Sequence, residues 1–443
     1  MSKSASKSKA ANAANAVKSA TDLDLKVELY DFIPHGKFQR GRMRLLFSGK
    51  DSNTQFINAL GRIMMDRVPC YAFPRDLIKV ERIDPASGYR DSVALNHDMI
   101  TLALSNIPVS NVDPGISYLH EKYWMGVDFL KVDRVGHEAE KRIELNLDVR
   151  NTIEELTLTE DSLLPVTTND MRIYIDGVET KLYDSEYPYL LLRLKPKEQI
   201  RLSARAVLGV GLLNCSWQAA SNYAIDDETF ESESEGKIVL MFKAASRFDE
   251  YALMDKALEY FAERLELIST MIEKMYLMEQ DKKNTFVAII NGEDHTIGIP
   301  LVYEMQSHPD IIKASCIKPD SLIQQIVIEI VVDDSTQMQR IISESIGMLM
   351  TKIKRVQSSF ADIRRKTYDS YFKNGKSIFY DYDYCRERDP TKSDKADKAD
   401  KTKKADKNMS RPAKSVKSTK AKSSKRKSKS KSKSKSKSKS KSK

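Results

Sequence analysis

The chain has 443 residues, enough for two or three domains, and 41% of them are hydrophobic, which is sufficient for buried cores. The net charge of +10 is unevenly distributed: residues 391–443 carry a net +19 and the first twenty residues add four lysines, so residues 21–390 are acidic with a net charge of −13. This argues against a basic nucleic-acid-binding body and places any nonspecific attraction to nucleic acid in the tails.

The four cysteines, Cys70, Cys215, Cys316 and Cys385, are scattered without a CxxC pair. This spacing argues against a disulfide framework and a cysteine zinc site, and it favours a reducing compartment. No apolar run reaches the roughly 18 residues of a membrane span, and the N-terminus lacks the apolar core of a signal peptide. We therefore expect a soluble intracellular protein with no cofactor, no metal and no membrane contact.

Residues 1–22 contain almost no large apolar side chains, which predicts a disordered tail. Alternation of apolar and polar residues then predicts two half-buried strands, one through Leu25, Val27 and Leu29 and one through Met43, Leu45 and Phe47.

The next segment predicts an amphipathic helix over 54–68. Asn53 or Thr54 can cap its start and Pro69 ends it. Gly61 inside this helix costs about 1 kcal/mol relative to alanine, and we interpret it as a close-packing site rather than a hinge. The helix is expected to present one apolar stripe, formed by Phe56, Ile57, Leu60, Ile63 and Met64.

Residues 76–214 are predicted to be mostly β, with turn signals between short strands at 142–149, 171–175, 189–194 and 201–207. Another strand is predicted at 237–242, followed by a helix over 250–277 about 40 Å long. A short charged joint at 280–284 comes next.

A compact α+β unit follows the joint. Its predicted elements are a strand at 286–290, a helix at 296–307, a strand at 326–332 and a helix at 336–355. The aromatic residues of 361–385 receive no predicted fold. From Asp389 the chain is low in complexity and ends in a Lys-Ser alternation.

Two short motifs carry a family resemblance. Asn58-Ala59-Leu60-Gly61-Arg62 resembles the N-A-L-R-R helix of the alpha-type assembly subunits of DNA-directed RNA polymerases, and residues 292–298 (Gly-Glu-Asp-His-Thr-Ile-Gly) resemble the E-D-H-T-L-G opening of their small partner. Further similar stretches lie at 96–100, 106–109, 194–196, 200–202, 206–211 and 215–217. The resemblance covers about residues 23–358. The chain resembles the third-largest and eleventh subunits of RNA polymerase II, or the archaeal D and L subunits, joined in one polypeptide.

The resemblance implies an α+β protein with two RNA polymerase alpha-type dimerisation domains, the first interrupted by an inserted mostly-β domain, and with disordered basic tails. The implied boundaries are a tail at 1–22, a first dimerisation domain at 23–75 and 215–280, an insert at 76–214, a second dimerisation domain at 281–358, an aromatic extension at 359–388 and a Lys/Ser-rich tail at 389–443.

The resemblance also implies which residues mediate dimerisation and assembly. The two halves would pair through the helices at 54–68, 250–277, 296–307 and 336–355. The expected pairing residues are Phe56, Asn58, Leu60, Arg62, Ile63, Pro69, Glu293, Asp294, His295, Thr296, Ile341 and Ile342.

This sequence departs from the family pattern at several positions. Gly61 replaces the first arginine of N-A-L-R-R, which leaves Arg62 to carry its charge contacts, and Ile299-Pro300 replaces the usual Asn-Leu. Cys215 stands where the H-A-K-W pattern has alanine or its neighbour. Many relatives hold a cysteine cluster for zinc or iron–sulfur in the insert, but 111–130 contains no cysteine, so no metal is expected.

The implied function is a non-catalytic assembly platform of a multisubunit DNA-dependent RNA polymerase. Its partners would be the two large catalytic subunits, small auxiliary subunits and, through the complex or the tail, DNA. The fusion resembles that of large cytoplasmic DNA viruses, which implies a viral factory in the host cytoplasm or a virion, with the nucleus as the alternative. Pairing within one chain and a swapped dimer of two chains both remain open.

The alternative function is a stand-alone nucleic-acid-binding protein that acts through its basic tail, with Lys425, Arg426 and Lys427 as contacts or as a nuclear import signal. The tail could also be a solvated segment or a site of phosphoregulation.

An enzyme of its own is not expected. The cluster Glu293-Asp294-His295 is better explained by helix capping than by acid–base chemistry, and the sequence has no Walker loop, GxGxxG or polymerase Asp triad.

Overall fold

The computed structural model describes residues 23–33, 41–131, 134–154, 162–185, 187–227, 237–278, 284–332 and 338–371. The helices are α1 (Thr54–Asp66), α2 (His97–Ser105), α3 (Glu250–Met278), α4 (His295–Gln306) and α5 (Met338–Tyr371). The strands are β1 (Lys26–Ile33), β2 (Arg42–Ser48), β3 (Cys70–Ala72), β4 (Ile78–Glu81), β5 (Ile143–Arg150), β6 (Leu164–Thr167), β7 (Arg172–Ile175), β8 (Val178–Glu179), β9 (Leu190–Leu194), β10 (Gln199–Gly209), β11 (Ala220–Asp227), β12 (Ile238–Ala244), β13 (Thr285–Asn291), β14 (Ile311–Ile317) and β15 (Gln325–Val332). This mixture confirms the predicted α+β class.

The first sheet has four antiparallel strands in the order β1-β2-β12-β11. In its register, Leu45 of β2 lies between Leu29 of β1 and Leu240 of β12. Helix α1 packs on β11 and β12, and α3 packs on β12, so one face of the sheet is covered. The alternation predicted for β2 is confirmed, since Met43, Leu45 and Phe47 are fully buried.

Helix α1 follows the capping chemistry of its sequence. The Asn53 side chain accepts a hydrogen bond from the Phe56 backbone N–H at 2.7 Å, and the helix ends at Asp66, shortly before Pro69. A Cβ atom added at Gly61 would overlap the ring of Tyr223 on β11. The glycine is therefore a close-packing site, as predicted.

The second sheet has three antiparallel strands in the order β13-β15-β14. Helix α4 covers β14 and β15, and α5 packs on α4. The predicted Ile/Val-rich strand is confirmed as β15, in which Ile326, Ile328, Ile330 and Val332 are fully buried.

Two features of this region differ from the sequence prediction. Strand β14 was not predicted, because its apolar residues are interrupted by Lys313 and Ser315. Helix α5 continues to Tyr371 instead of ending near 355, because Val356, Phe360 and Ile363 keep the helical spacing and are buried.

The middle region, residues 76–214, contributes β10, β5, β7 and β8 to a sheet of order β3-β10-β5-β7-β8, in which β4 also pairs with β10. It also holds the separate pair β6-β9. Strands β5, β7, β9 and β10 confirm the four predicted strands. Helix α2 was not predicted there, although Asn96 caps it by accepting a hydrogen bond from the Met99 N–H at 2.8 Å.

The buried apolar residues form two clusters. One includes residues from both small sheets and from α1, α3, α4 and α5, and the other consists of residues of the middle region together with Tyr71 and Phe73. Strand β3 connects them, since Cys70 and Ala72 belong to the first cluster while Tyr71 and Phe73 belong to the second. Within the described residues, no helix is both long and apolar enough to cross a membrane.

Candidate assembly interface

Helices α1 and α4 lie antiparallel at the centre of the shared core. We call the first sheet with α1 and α3 the first half, and the second sheet with α4 and α5 the second half. Arg67, just after α1, lies beside Asp294, the N-cap of α4, while Asn53, the N-cap of α1, reaches Glu304 in the last turn of α4. The start of each helix therefore faces the end of the other.

The long helices reach across to the opposite half. Helix α3 packs on β13 of the second half, and α5 packs on β1 of the first half and on α3. Tyr251 of α3 packs on Phe360 of α5 across the two halves with ring centroids 5.8 Å apart, while Phe56 of α1 stacks on Phe261 of α3 within the first half at 5.7 Å. Because each half covers apolar surface of the other, neither buries its own core alone.

Four charged side chains are enclosed where α1, α3 and α4 meet. Arg264 Nε donates to Glu293 Oε1 at 2.5 Å, and Arg67 Nη2 lies 2.9 Å from Asp294 Oδ2 as an ion pair rather than a well-aligned hydrogen bond. The side chains of Arg264 and Glu293 are 5% and 0% exposed. Both arginines belong to the first half and both carboxylates to the second.

The two carboxylates respond differently to this site. Burial acts to raise the pKa of Asp294, but Arg67 and the hydrogen bonds from Thr296 outweigh it, and the pKa is lowered. Burial raises the pKa of Glu293, and Arg264 and Arg67 offset this only in part. Glu293 Oε2 has no hydrogen-bond partner among the described residues. The two arginines therefore offset part of the cost of burying these carboxylates.

A second buried ion pair lies at the other end of α4. Lys352 Nζ of α5 lies 2.5 Å from Glu304 Oε1, and each side chain is 5% exposed. The same Glu304 oxygen accepts a hydrogen bond from Asn53 Nδ2 at 3.4 Å. At this end of the interface the ion pair lies wholly within the second half, and the first half contributes only the neutral amide of Asn53.

A segment of the middle region lies against α3. Lys256 Nζ pairs with Asp113 at 2.8 Å, and the guanidinium of Arg264 lies 4.5 Å from the ring centroid of Tyr118. A Cβ atom added at Gly292 of the second half would overlap the side chain of Glu121. The middle-region segment that contains Glu121 therefore also lies close to the second half. It thus touches both sides of the interface.

The structure brings most of the predicted pairing residues to this interface. Phe56, Leu60 and Ile63 of α1 and Ile341 and Ile342 of α5 lie in the shared core. Glu293 and Asp294 belong to the charged group.

The remaining predicted residues have other positions. Asn58 Oδ1 accepts a hydrogen bond from the Tyr223 hydroxyl within the first half, and Arg62 is exposed. Pro69 is buried after α1, Thr296 donates its N–H to the Asp294 cap, and His295 Nδ1 lies 3.8 Å from Cys316 Sγ. Lys425, Arg426 and Lys427 lie outside the described residues.

Sequence reasoning missed Arg67, Arg264, Glu304 and Lys352. The available signal was a charged residue on an otherwise apolar helix face: Arg264 lies between Phe261, Leu265 and Ile268. Such positions hold buried charges when a partner lies on another element, and the partner cannot be read from the sequence alone.

The structure also bears on the two chemical interpretations considered for the sequence. Asp294 caps α4 and Glu293 pairs with Arg264, so two residues of the Glu-Asp-His cluster make structural contacts. Across the described residues, no group of His, Cys, Asp and Glu is arranged to hold a metal ion.

Comparison with known proteins agrees with this geometry. Residues 285–359 match the RNA polymerase Rpb3/Rpb11 dimerisation domain. The matched residues lie in the second half. The chain is also 25% identical over 369 residues to a protein of Acanthamoeba polyphaga mimivirus that is named as a DNA-directed RNA polymerase subunit, an alignment that covers 79% of this chain and 98% of the relative. The two findings confirm the resemblance to RNA polymerase subunits that the sequence motifs indicated.

Proposed function

We propose that this chain is a non-catalytic assembly subunit of a multisubunit DNA-dependent RNA polymerase. Its two halves would pair within one chain and form the platform on which the two large catalytic subunits dock, with small auxiliary subunits around them. The observation that carries the proposal is the single core built by α1, α3, α4 and α5 from both halves. The dimerisation-domain match and the similarity to the mimivirus protein support it.

The first half would be a second alpha-type dimerisation domain, interrupted by residues 76–214. Supporting this, each half has an antiparallel sheet, a short helix on that sheet and a long helix that packs on the other half. The middle region has a hydrophobic core of its own. The proposed boundaries are 23–75 and 215–280 for the first domain and 281–358 for the second.

Docking of a large subunit requires an accessible apolar surface, and the open face of the second sheet provides one. Ile289, Val327 and Ile317 lie side by side across β13, β15 and β14. Ile289 and Ile317 are about half exposed, and Leu322 in the β14–β15 connection is 90% exposed. Exposed apolar rows of this kind mark protein interaction sites. We propose that a large catalytic subunit covers this row.

The test separates docking from folding. A tagged full-length chain with Ile289→Glu and Ile317→Glu should fold as the wild type does and recover at least tenfold less of the large subunits from its native source. Leu60→Glu, in the buried core, should lose both the fold and the partners. Val178→Glu, at an exposed apolar position in the middle region, is the control and should recover wild-type amounts.

Two outcomes would contradict the proposal. Full recovery of the large subunits by the Ile289/Ile317 variant would refute the docking surface. Recovery of nucleic acid without large subunits, lost as the salt concentration rises, would favour the stand-alone nucleic-acid-binding function through residues 391–443.

A further inference from the structure

The buried charges between the halves are segregated by sign. At the junction of the C-terminal end of α1 with the N-terminal end of α4, two ion pairs join cations of the first half, Arg67 and Arg264, to anions of the second half, Glu293 and Asp294. Asp66 of the first half is half-buried near Arg67 and Asp294 but makes neither of these ion pairs. Three of the four paired side chains are 7% exposed or less, and Asp294 is 18% exposed. Water therefore screens their interactions weakly.

The opposite end of α1 carries no compensating charge. There the first half presents Asn53, whose side-chain amide faces Glu304 of the second half. Glu304 is already paired with Lys352 of its own half. The two ends of the interface therefore differ in charge.

Pairing of two like halves would be electrostatically unfavourable. Because α1 and α4 are antiparallel, two-fold pairing of first halves would place Arg67 against Asn53 of the other copy and leave Arg67 and Arg264 without a carboxylate. Two-fold pairing of second halves would place Glu304 near Asp294 and Glu293 of the other copy. Buried charges without a partner are strongly destabilising, and like charges in contact reject a wrong partner.

We propose that Arg67, Arg264, Glu293 and Asp294 are specificity-determining residues that restrict pairing to one first half with one second half. The shared apolar core supplies affinity to any combination of similar halves, whereas the charges select the unlike combination. This inference rests on the proposed function, since it assumes that both halves have the same pairing fold.

The test uses two full-length chains, one with Arg264→Glu and one with Glu293→Arg, each with a Gly-Ser segment inserted at 279–283 so that pairing within and between chains is equally accessible. Each chain alone has like charges in contact. When the two are co-expressed, the Arg264→Glu first half of one chain can pair with the Glu293→Arg second half of the other. The unsubstituted first and second halves, which lie on different chains, can then pair with each other, and both pairings bring opposite charges together. We expect a one-to-one complex by light scattering, with at least tenfold more capture of one tagged chain by the other than in a mixture of wild-type chains carrying the same insertion.

The matched control is the pair Asp255–Arg364. It also joins the two halves, at 2.5 Å, but the side chains are 32% and 42% exposed. Water and salt screen such a pair, so co-expressed Asp255→Arg and Arg364→Asp chains should show no more mutual capture than wild type.

A second variant keeps the proposal falsifiable if the charge reversals prevent folding. Glu293→Gln with Asp294→Asn removes both carboxylates, and asparagine still caps α4. Exchange between two differently tagged preparations of this variant should exceed that of wild type at least tenfold. The inference would be overturned if the tagged preparations of this variant exchanged no faster than wild type and the charge-reversed chains formed no one-to-one complex. Because only purified chains are used, this outcome is independent of whether large subunits copurify.

Discussion

Glu293 is the most enclosed charge between the two halves, and its contact with Arg264 is the residue-scale feature on which the interface depends. Replacing it with alanine leaves Arg264 buried without its partner. We expect Glu293→Ala to lower the free energy of unfolding by about 3–5 kcal/mol, measured by urea denaturation.

The exposed pair Arg142–Glu144 provides the control for this effect. Its side chains are 69% and 41% exposed, so Glu144→Ala should cost less than about 1 kcal/mol. Equal losses for the two variants would contradict the importance that we give to burial at Glu293.

Glu250, at the start of α3, is a buried carboxyl that should make stability depend on pH. Burial raises its pKa from 4.5 to about 7, with a smaller contribution from Asp249. Between these pH values the folded chain holds a proton that the unfolded chain releases, so stability should fall as the pH rises from about 4.5 to 7.

Glu250→Gln should remove this pH dependence and raise stability at pH 8 by on the order of 1–3 kcal/mol. Urea denaturation at pH 5, 6, 7 and 8 measures the slope. Glu259→Gln, at an exposed position on the same helix, should leave the slope unchanged. An unchanged slope in the Glu250 variant would show that this carboxyl stays ionised in the fold.

At the scale of single elements, α1 combines a poor helix former with a tight contact. Gly61→Ala improves helix propensity by about 1 kcal/mol but places a methyl group against the Tyr223 ring. We expect a net loss of about 1–3 kcal/mol, because overpacking costs more than the propensity gains. Thermal unfolding measures the change.

Gly347 of α5 is the matched helical glycine, with open space where a Cβ would lie. Gly347→Ala should therefore stabilise the chain by about 0.5–1 kcal/mol. A stabilising effect at both glycines would mean that Tyr223 moves away at no cost.

Helix α5 extends past residue 359, where the match to the dimerisation domain ends. Phe360 in this extension is fully buried and packs on Tyr251 of the first half. Phe360→Ala should cost about 3–5 kcal/mol, whereas Ser358→Ala on the exposed side of the same helix should be nearly neutral. A neutral Phe360 variant would show that the extension does not hold the halves together.

Periodicity was sufficient to predict the elements that bury one regular face. Helix α1 and strands β2 and β15 follow the predicted alternation because each has one buried face. It was insufficient for β14, a strand at the edge of its sheet whose outer residues include Lys313 and Ser315. The short helix α2 was also missed, because its nine residues hold only two fully buried apolar side chains.

The interface was only partly predictable, because only some of its residues belong to a regular apolar pattern or a recognisable motif. Leu60 and Ile63 belong to a regular apolar stripe, and Glu293 and Asp294 belong to a recognisable motif. The partners of Arg67 and Arg264 lie at the start of α4, 29 or more residues away in sequence, so the role of these arginines is visible only in the folded structure. Non-local ion pairs of this kind leave no periodic signal.

At the scale of the whole molecule, both halves lie on one chain, so their pairing in the proposed function is intramolecular. The effective concentration of one half near the other is then set by the joint, and the stoichiometry is fixed at one to one. The sequence separates the charges along the chain, since residues 21–390 carry a net charge of −13 and residues 391–443 a net charge of +19.

The most direct test of the central claim is the stoichiometry of the complex that this chain forms. A tagged full-length chain would be purified from its native source at moderate salt, and its partners quantified by mass spectrometry. The assembly function predicts two different large catalytic subunits, each equal in amount to this chain and retained as the salt concentration is raised. Nucleic acid without those subunits, released by salt, would contradict it.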